Sequence, residues 1–207
     1  MIDVPGYTCY RKDRTNGKGG GVLIYIKDGL NCSVTVLDTL GIECLVLKVL
    51  LSPTMKFNLL VVYNPPSHGA SFYQDFHEML KQINIKCETI LIGDMNINWM
   101  EKNKRDKLKA VLSKHKLVQI LKKPTRITKT SQTLIDLIIT NKPERIIKTY
   151  NLVTGLSDHN MTLLVRKLTK KRLEGVFTVP NATKSQMSIP KNKLPLFENE
   201  LKNMNWE

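Results

Sequence analysis

Short runs of β-forming apolar residues alternate with polar turns through the first third of the chain. These runs predict four strands, at residues 22–26, 32–37, 43–51 and 57–63. Short turns separate them, at 27–30, 38–42 and 52–56. Short connections favour pairing between consecutive strands, and we therefore expect an antiparallel meander. The preceding residues, 1–18, are turn-rich and basic, and the glycines at 19–21 predict a tight entry into the first strand.

The rest of the chain mixes helical and strand periodicity. The spacing of Ser71 and Gln74 fits a capping box, and the apolar residues after it recur at helical intervals, which predicts a helix at 71–85. The remaining predicted elements are a buried strand at 89–92, a helix at 106–114, and strands at 133–140, 145–152 and 161–168. Residues 1–168 are therefore predicted to form one domain. Residues 169–207 are predicted to be a basic, mostly disordered connector with a weakly amphipathic segment at 196–206.

Charge changes this picture more than any other feature of composition. The 207 residues include 32 Lys and Arg against 18 Asp and Glu, which gives a net charge of +14 and a pI near 9.7. Such a surface attracts polyanions, of which nucleic acid is the commonest. Residues 102–129 contain 11 Lys or Arg against one acid, Asp106. A solvated helix face and a DNA-backbone contact surface both explain this excess.

The cysteines and the N-terminus bear on the cellular compartment. Cys9, Cys32, Cys44 and Cys87 show no Cys-x-x-Cys spacing, and we expect reduced thiols and no zinc site. The N-terminus lacks the apolar core of a signal peptide, and no apolar run reaches membrane-spanning length. These features predict an intracellular protein, nuclear or cytoplasmic, without a membrane partner.

Polar side chains stand at the ends of the predicted strands. Asp94 and Asn96 follow the buried strand at 89–92, and alternate residues of an extended chain point to the same side. A metal or phosphate site and an ordinary Asp-Met-Asn turn both fit this pair. Tyr63 and Asn64 end another strand before two prolines, where a rigid turn is the simpler interpretation.

An acid and a histidine later in the chain could complete such a site. Asp136 lies inside the apolar strand predicted at 133–140, where an unpaired carboxylate is costly, and we expect it to have a partner. His159 follows Ser157 and Asp158 at a loop-to-strand junction. A lone Ser-Asp-His is typical of a turn. Its conjunction with the other strand-end residues favours a catalytic site.

In this order the sequence contains the segments GGGVLIYI, YNPP, GDMNINW, PTRIT, TLIDLIITN and GLSDH. Their order resembles the endonuclease/exonuclease/phosphatase superfamily. The residues of these segments are most similar to those of the endonuclease domain of non-LTR retrotransposon polyproteins (long interspersed elements, jockey-like), and the resemblance covers residues 2–167. The resemblance implies an α/β fold, a four-layer α/β sandwich of two mixed β-sheets flanked by helices, here lacking the N-terminal strands. It also implies a covalently linked reverse transcriptase domain in the full-length element.

The resemblance implies a role for each strand-end residue. His159 would be the general base toward the scissile phosphate or its electrostatic partner, with Asp136 orienting its ring. Asp94 would position or deprotonate the attacking water, and Asn96 would hold that water or a phosphate oxygen. Tyr63 would hydrogen-bond the phosphate. This chemistry suits phosphodiester hydrolysis.

The remaining implied contacts are to phosphate, DNA and metal. Asn64, Thr125, Arg126 and Ser157 would contact phosphate or DNA, and Asp158 would lie at the metal. Carboxylate and amide ligands favour Mg²⁺ or Mn²⁺ over zinc.

The sequence departs from the family pattern at its front. Relatives begin with a strand that bears an Asn and a later strand that ends in the principal Glu ligand, and this chain starts after both. Glu43 lies in a later strand and is not that ligand. The metal is therefore expected to bind weakly if at all. Three functions stay open: a metal-dependent DNA endonuclease impaired by this loss, a catalytically inactive basic DNA-binding remnant, and a phosphatase acting on inositol phosphates or sphingomyelin.

Overall fold

A computed structural model describes residues 3–14, 20–37, 39–84 and 86–168. Its strands are β1 (Tyr7–Lys12), β2 (Val22–Lys27), β3 (Asn31–Thr35), β4 (Glu43–Ser52), β5 (Met55–Tyr63), β6 (Glu88–Asp94), β7 (Val118–Gln119), β8 (Arg126–Ile127), β9 (Gln132–Thr133), β10 (Asp136–Thr140), β11 (Ile146–Leu152) and β12 (Met161–Arg166). Its helices are α1 (Phe72–Lys81) and α2 (Lys102–Lys114), with 3-10 turns at Pro66–Ser71 and Pro143–Arg145. All of these elements belong to the compact unit Met1–Lys167. The predicted connector at 169–207 lies outside the described residues and stays a prediction.

A six-stranded mixed sheet in the order β3-β4-β5-β6-β10-β7 forms the centre of the fold. Only β5 and β6 pair in parallel, which is the arrangement that a strand, a crossover helix and a second strand produce. The crossover is α1, and its apolar stripe explains why it packs on the sheet instead of leaving it. This architecture confirms the predicted α/β fold class.

The two faces of the central sheet bury different partners. One face packs against α1 and α2 through a core that includes Phe72, Phe76 and Leu108. The other face packs against the hairpin of β1 and β2, which contributes Val22, Ile24 and Ile26. Alternation along β2 explains this second contact, because its even-numbered residues are buried while Leu23 is exposed.

The hairpin of β11 and β12 is tied to β6 by charge. Glu88 at the start of β6 is buried, and Arg166 at the end of β12 donates to it from Nε at 3.0 Å and from Nη2 at 2.5 Å. Arg145, in the 3-10 turn before β11, adds a third contact at 2.9 Å. The Arg166 guanidinium also lies 4.9 Å from the ring centre of Phe57 on β5. Both outer ends of this hairpin are therefore held at one point of the central sheet.

The structure corrects several predicted elements. The meander comprises only β3, β4 and β5, because β2 leaves it to pair with β1, a strand in the segment predicted as turns. The strand predicted at 133–140 is divided into β9 and β10. Asp136 therefore begins a strand instead of lying inside one. No capping box forms, because the Ser71 hydroxyl donates to His68 O and the Gln74 amide donates to Glu78.

Two further sequence expectations can be compared with the described residues. None of the helices in these ranges has the length and hydropathy that a membrane span requires. All four cysteines are free thiols.

Candidate active site

The candidate site is built on a row of residues that face one another across four strands. Glu43 on β4 pairs with Tyr63 on β5, Tyr63 pairs with Asp94 on β6, and Asp94 pairs with Asp136 on β10. Residues opposite each other in neighbouring strands project to the same face of a sheet. The parallel pairing of β5 with β6 and the antiparallel pairing of β10 thus bring a phenol and three carboxylates to one edge.

The turn after β6 holds Asp94 in a fixed orientation. A Cβ on the preceding Gly93 would lie 1.8 Å from Val62 O, so only glycine allows the close approach of β5 and β6 here. Asn96 has a φ of 48°, a left-handed conformation that asparagine tolerates. Its backbone N–H donates to Asp94 Oδ1 at 2.9 Å, and its amide donates to Asn64 O at 2.9 Å. Residues 94–96 thus form the expected turn, and the same turn places the Asp94 carboxylate in the candidate site.

His159 lies against Asp136. Its Nδ1 is 3.1 and 3.0 Å from the two carboxylate oxygens of Asp136. This pairing fixes the plane of the imidazole and directs Nε2 away from the carboxylate. Backbone contacts hold the turn itself, because Asn160 N–H donates to Thr125 O and Ile127 N–H donates to Asp158 O.

Asp94, Asp136 and His159 form a compact cluster whose potential ligand atoms all lie within 4.8 Å of one another. Burial raises the pKa of Asp94 above its ordinary value, and the neighbouring Asp136 carboxylate raises it further. The backbone hydrogen bond from Asn96 lowers this pKa, and so do the positive charges of His159 and Arg126. Two close carboxylates repel each other, and a cation between them would relieve that repulsion. Their oxygens are hard ligands, so this donor set fits a divalent cation such as Mg²⁺.

The other predicted contact residues have structural partners. Asn64 is buried and its amide donates to Met95 O at 2.7 Å. Thr125 is fully buried, and its hydroxyl oxygen accepts the N–H groups of Ile135 and Asp136. Both residues therefore stabilise the backbone of the site. Their positions favour this structural role over the predicted phosphate contact.

Asp158 and its neighbours lie at the rim. Asp158 is outside the cluster of Asp94, Asp136 and His159, and its carboxylate accepts Arg126 Nε at 2.7 Å. That guanidinium lowers the pKa of Asp158. The Ser157 hydroxyl accepts His159 N–H and donates to His159 O, so it closes the turn. The metal contact predicted for Asp158 gains no support from this pairing.

Two residues that the sequence analysis did not assign to the site, Glu43 and Arg14, lie beside Tyr63. Glu43 accepts Nε and Nη2 of Arg14 at 2.6 and 2.5 Å, and it also accepts Gly21 N–H. Arg14 Cζ lies 6.0 Å from the centre of the Tyr63 ring. No sequence signal marked Arg14, because it lies in a segment predicted as turns. The only available signal was the strand-end position of Glu43.

Similar solved structures show the class of fold. The endonuclease domain of TRAS1, a telomere-specific non-LTR retrotransposon, is similar with a TM-score of 0.64 at 15% identity, over 81% of this chain and 83% of that one. An endonuclease/exonuclease/phosphatase family protein from Leptotrichia buccalis has a TM-score of 0.58 at 12% identity, over 78% and 72% of the two chains. The fold is therefore that of the endonuclease/exonuclease/phosphatase superfamily, as the resemblance implied.

The sequence itself identifies the family more closely. The model of the family described as endonuclease-reverse transcriptase matches residues 57–163, more than half of the chain. The chain belongs to this family. Among curated proteins, none matches the sequence.

Proposed function

We propose that this domain hydrolyses phosphodiester bonds of DNA in a reaction that depends on a divalent cation. One observation carries the proposal: Asp94, Asp136 and His159 converge within 4.8 Å beside Tyr63 at one edge of the central sheet. The net charge of +14 supports a polyanionic substrate. The name of the similar TRAS1 domain supports an endonuclease, and the name of the matched family supports association with a reverse transcriptase.

The imidazole of His159 is the group suited to move a proton. The Nδ1–H group of His159 donates a hydrogen bond to the Asp136 carboxylate, and this contact favours the tautomer that has its lone pair on Nε2. In that form Nε2 accepts a proton from an attacking water, and the imidazolium that results is stabilised by the carboxylate beside it. Once charged, the ring also offsets negative charge that develops on the phosphate oxygens.

The remaining residues of the site position substrate and water. Asp94 is directed into the site by its hydrogen bond from Asn96, and its carboxylate can orient a water toward phosphorus. The Tyr63 hydroxyl is a neutral donor suited to a phosphate oxygen, whereas the Asn96 amide donates to Asn64 O and Asp94 Oδ2 and so holds Asp94 in place. Asp94 and Asp136 would hold Mg²⁺ or Mn²⁺, which as a Lewis acid supplies charge stabilisation at phosphorus when bound.

Nicking of supercoiled plasmid tests this proposal. We expect nicking in Mg²⁺ that EDTA abolishes, and a loss of at least about a hundredfold in His159→Ala and in Asp94→Asn. Asp28→Asn is the matched control, because Asp28 is exposed and its carboxylate accepts the hydroxyl of Thr8, which is also exposed. Equal activity in wild type and both site variants would contradict the assignment of the site.

DNA binding without cleavage is the second candidate function. The paired carboxylates favour the enzyme, while the 11 basic residues in 102–129 support binding whether or not the site turns over. Salt-sensitive binding by a wild-type protein that never nicks DNA in Mg²⁺ or Mn²⁺ would establish this candidate.

A further inference from the structure

A cleft beside the candidate site has a lining without acids. Its volume is about 360 Å³, and it lies between β11 and the segment that follows β7. Lys122 and Lys123 line one side, and Thr149, Tyr150 and Asn151 of β11 line the other. A third amine is close, because Lys148 Nζ lies 4.7 Å from the centre of the Tyr150 ring. The lining therefore combines positive charge with one aromatic ring and one amide.

Some Lys and Arg residues in the described ranges form ion pairs with a carboxylate, and the lysines of this cleft do not. Such pairs include Lys81 with Glu78, Lys104 with Glu101, and Arg126 with Asp158. Lys122, Lys123 and Lys148 form no ion pair with any described carboxylate. Amines grouped in a concave site without counter-charges raise the local potential and favour an anion there.

The cleft is connected to the candidate site by the chain and by a hydrogen bond. Only Pro124 separates Lys123 from Thr125, the threonine that accepts the N–H of Asp136. Two extended residues span at most about 7 Å, so the chain itself keeps Lys123 close to Thr125. The Asn151 amide donates to Pro124 O, so the far wall of the cleft is bonded to the same loop. The cleft and the candidate site therefore share the loop at Pro124 and Thr125.

We propose that this cleft is a binding subsite for backbone phosphates of DNA, a few nucleotides from the phosphate bound at Asp94 and His159. Lys122 and Lys123 neutralise the phosphates, and Tyr150 provides an apolar surface for the sugar or base between them. The inference rests on the proposed action on DNA and adds to it the place where the flanking strand binds.

Salt-dependent binding tests the subsite without any cleavage. Affinity for a fluorescein-labelled DNA duplex is measured by fluorescence anisotropy in EDTA over a series of KCl concentrations. Loss of two phosphate contacts in the double variant K122Q/K123Q should reduce the magnitude of the slope of log K against log salt by about 1.8. At about 0.1 M salt this corresponds to a loss of roughly sixtyfold in affinity.

The matched control removes two lysines from the opposite edge of the sheet. Lys56 and Lys86 are exposed and lie near the starts of β5 and β6, whereas Tyr63 and Asp94 lie at the ends of those strands. The control K56Q/K86Q has the same net charge as the test variant, and we expect it to keep the wild-type slope. Unfolding midpoints equal to wild type would show that both variants fold.

Two results would overturn the subsite. Equal loss of slope in both double variants would assign the effect to net charge, and an unchanged slope in K122Q/K123Q would show that no phosphate binds there. The same preparations are assayed for plasmid nicking. A protein that does not nick but loses slope only in K122Q/K123Q retains the subsite and refutes the proposed hydrolysis. A protein that nicks DNA but shows no difference in slope between the two variants retains the proposed hydrolysis and refutes the subsite.

Discussion

Loss of the Glu88 carboxylate should destabilise the fold more than loss of any surface acid. Glu88 has a side chain that is 4% exposed and that accepts hydrogen bonds from Arg166 and Arg145. Arg166 is itself only 9% exposed, and its Nη1 is buried without a partner. In Glu88→Ala this guanidinium stays buried with no counter-charge. Breaking a buried pair in this way costs about 3–5 kcal/mol, which exceeds the worth of most exposed ion pairs.

Urea unfolding followed by far-UV circular dichroism measures this cost. In thermal unfolding of the same variants, a loss of about 3–5 kcal/mol corresponds to a fall of roughly 6–20 °C in the melting temperature for a domain of this size. Glu78→Ala is the control, because Glu78 forms an exposed pair with Lys81, and such pairs contribute less than about 1 kcal/mol. Similar losses in Glu88→Ala and Glu78→Ala would refute the reasoning.

A double substitution separates charge from packing at the same position. In E88M/R166M both buried charges are replaced by apolar side chains of similar length, and such replacements are often neutral. Arg145 is 37% exposed and can turn its guanidinium to water. We therefore expect the double variant to regain most of the stability that Glu88→Ala loses. A double variant less stable than Glu88→Ala would show that packing against Phe57, and not charge, is what Arg166 contributes.

Three further predictions concern single positions. Gly93→Ala should cost at least about 3 kcal/mol, because its Cβ would meet Val62 O; urea unfolding measures it, and a loss under about 1 kcal/mol would contradict the contact. Thr125→Val should cost about 1–3 kcal/mol, since two buried N–H groups lose their acceptor, and should slow nicking more than Thr130→Val, an exposed control. Burial lowers the pKa of His115, next to His77, Lys81 and Lys114, so the unfolded chain binds the proton more readily. Stability should therefore fall as pH drops below about 6.5. Unfolding midpoints at pH 7.5 and 5.5 should show this dependence in the wild type and not in His115→Gln. Equal pH dependence in the wild type and the variant would contradict the role of His115.

The central strands could be predicted from the sequence because their own residues determine their burial. The strand β6 is buried on both faces and appears in the sequence as a continuous apolar run, and β5 alternates. β1 could not be found in this way. Most of its residues are exposed, and its position depends on pairing with β2. The same pairing removes β2 from the predicted meander, and no local pattern distinguishes the two arrangements.

The proximity of Asp94, Asp136 and His159 could be predicted only from the order of the motifs. Residue spacing does not specify which strands are neighbours, and the row at the sheet edge exists because β10 pairs antiparallel with β6. The structural roles of Thr125 and Asn64 were harder to predict. Thr125 and Asn64 belong to motifs suited to phosphate contacts, but their side chains point inward and satisfy backbone groups of the site. A side chain's direction in a loop depends on its tertiary partners, which a single sequence does not contain.

The position of His159 is set from both ends of β12. Before the strand, backbone hydrogen bonds join the turn of residues 157–160 to residues 125–127. After five strand residues, Arg166 binds Glu88 at the start of β6, the strand that ends in Asp94. β12 and β6 therefore run in opposite directions between two fixed points, one of which is the candidate active site and the other a buried ion pair. A strand fixed at one end only would let its other end shift, and small displacements of a catalytic group are costly to rate. The ion pair lies at the opposite end of both strands from the site, and it therefore helps to hold the imidazole of His159 against Asp136.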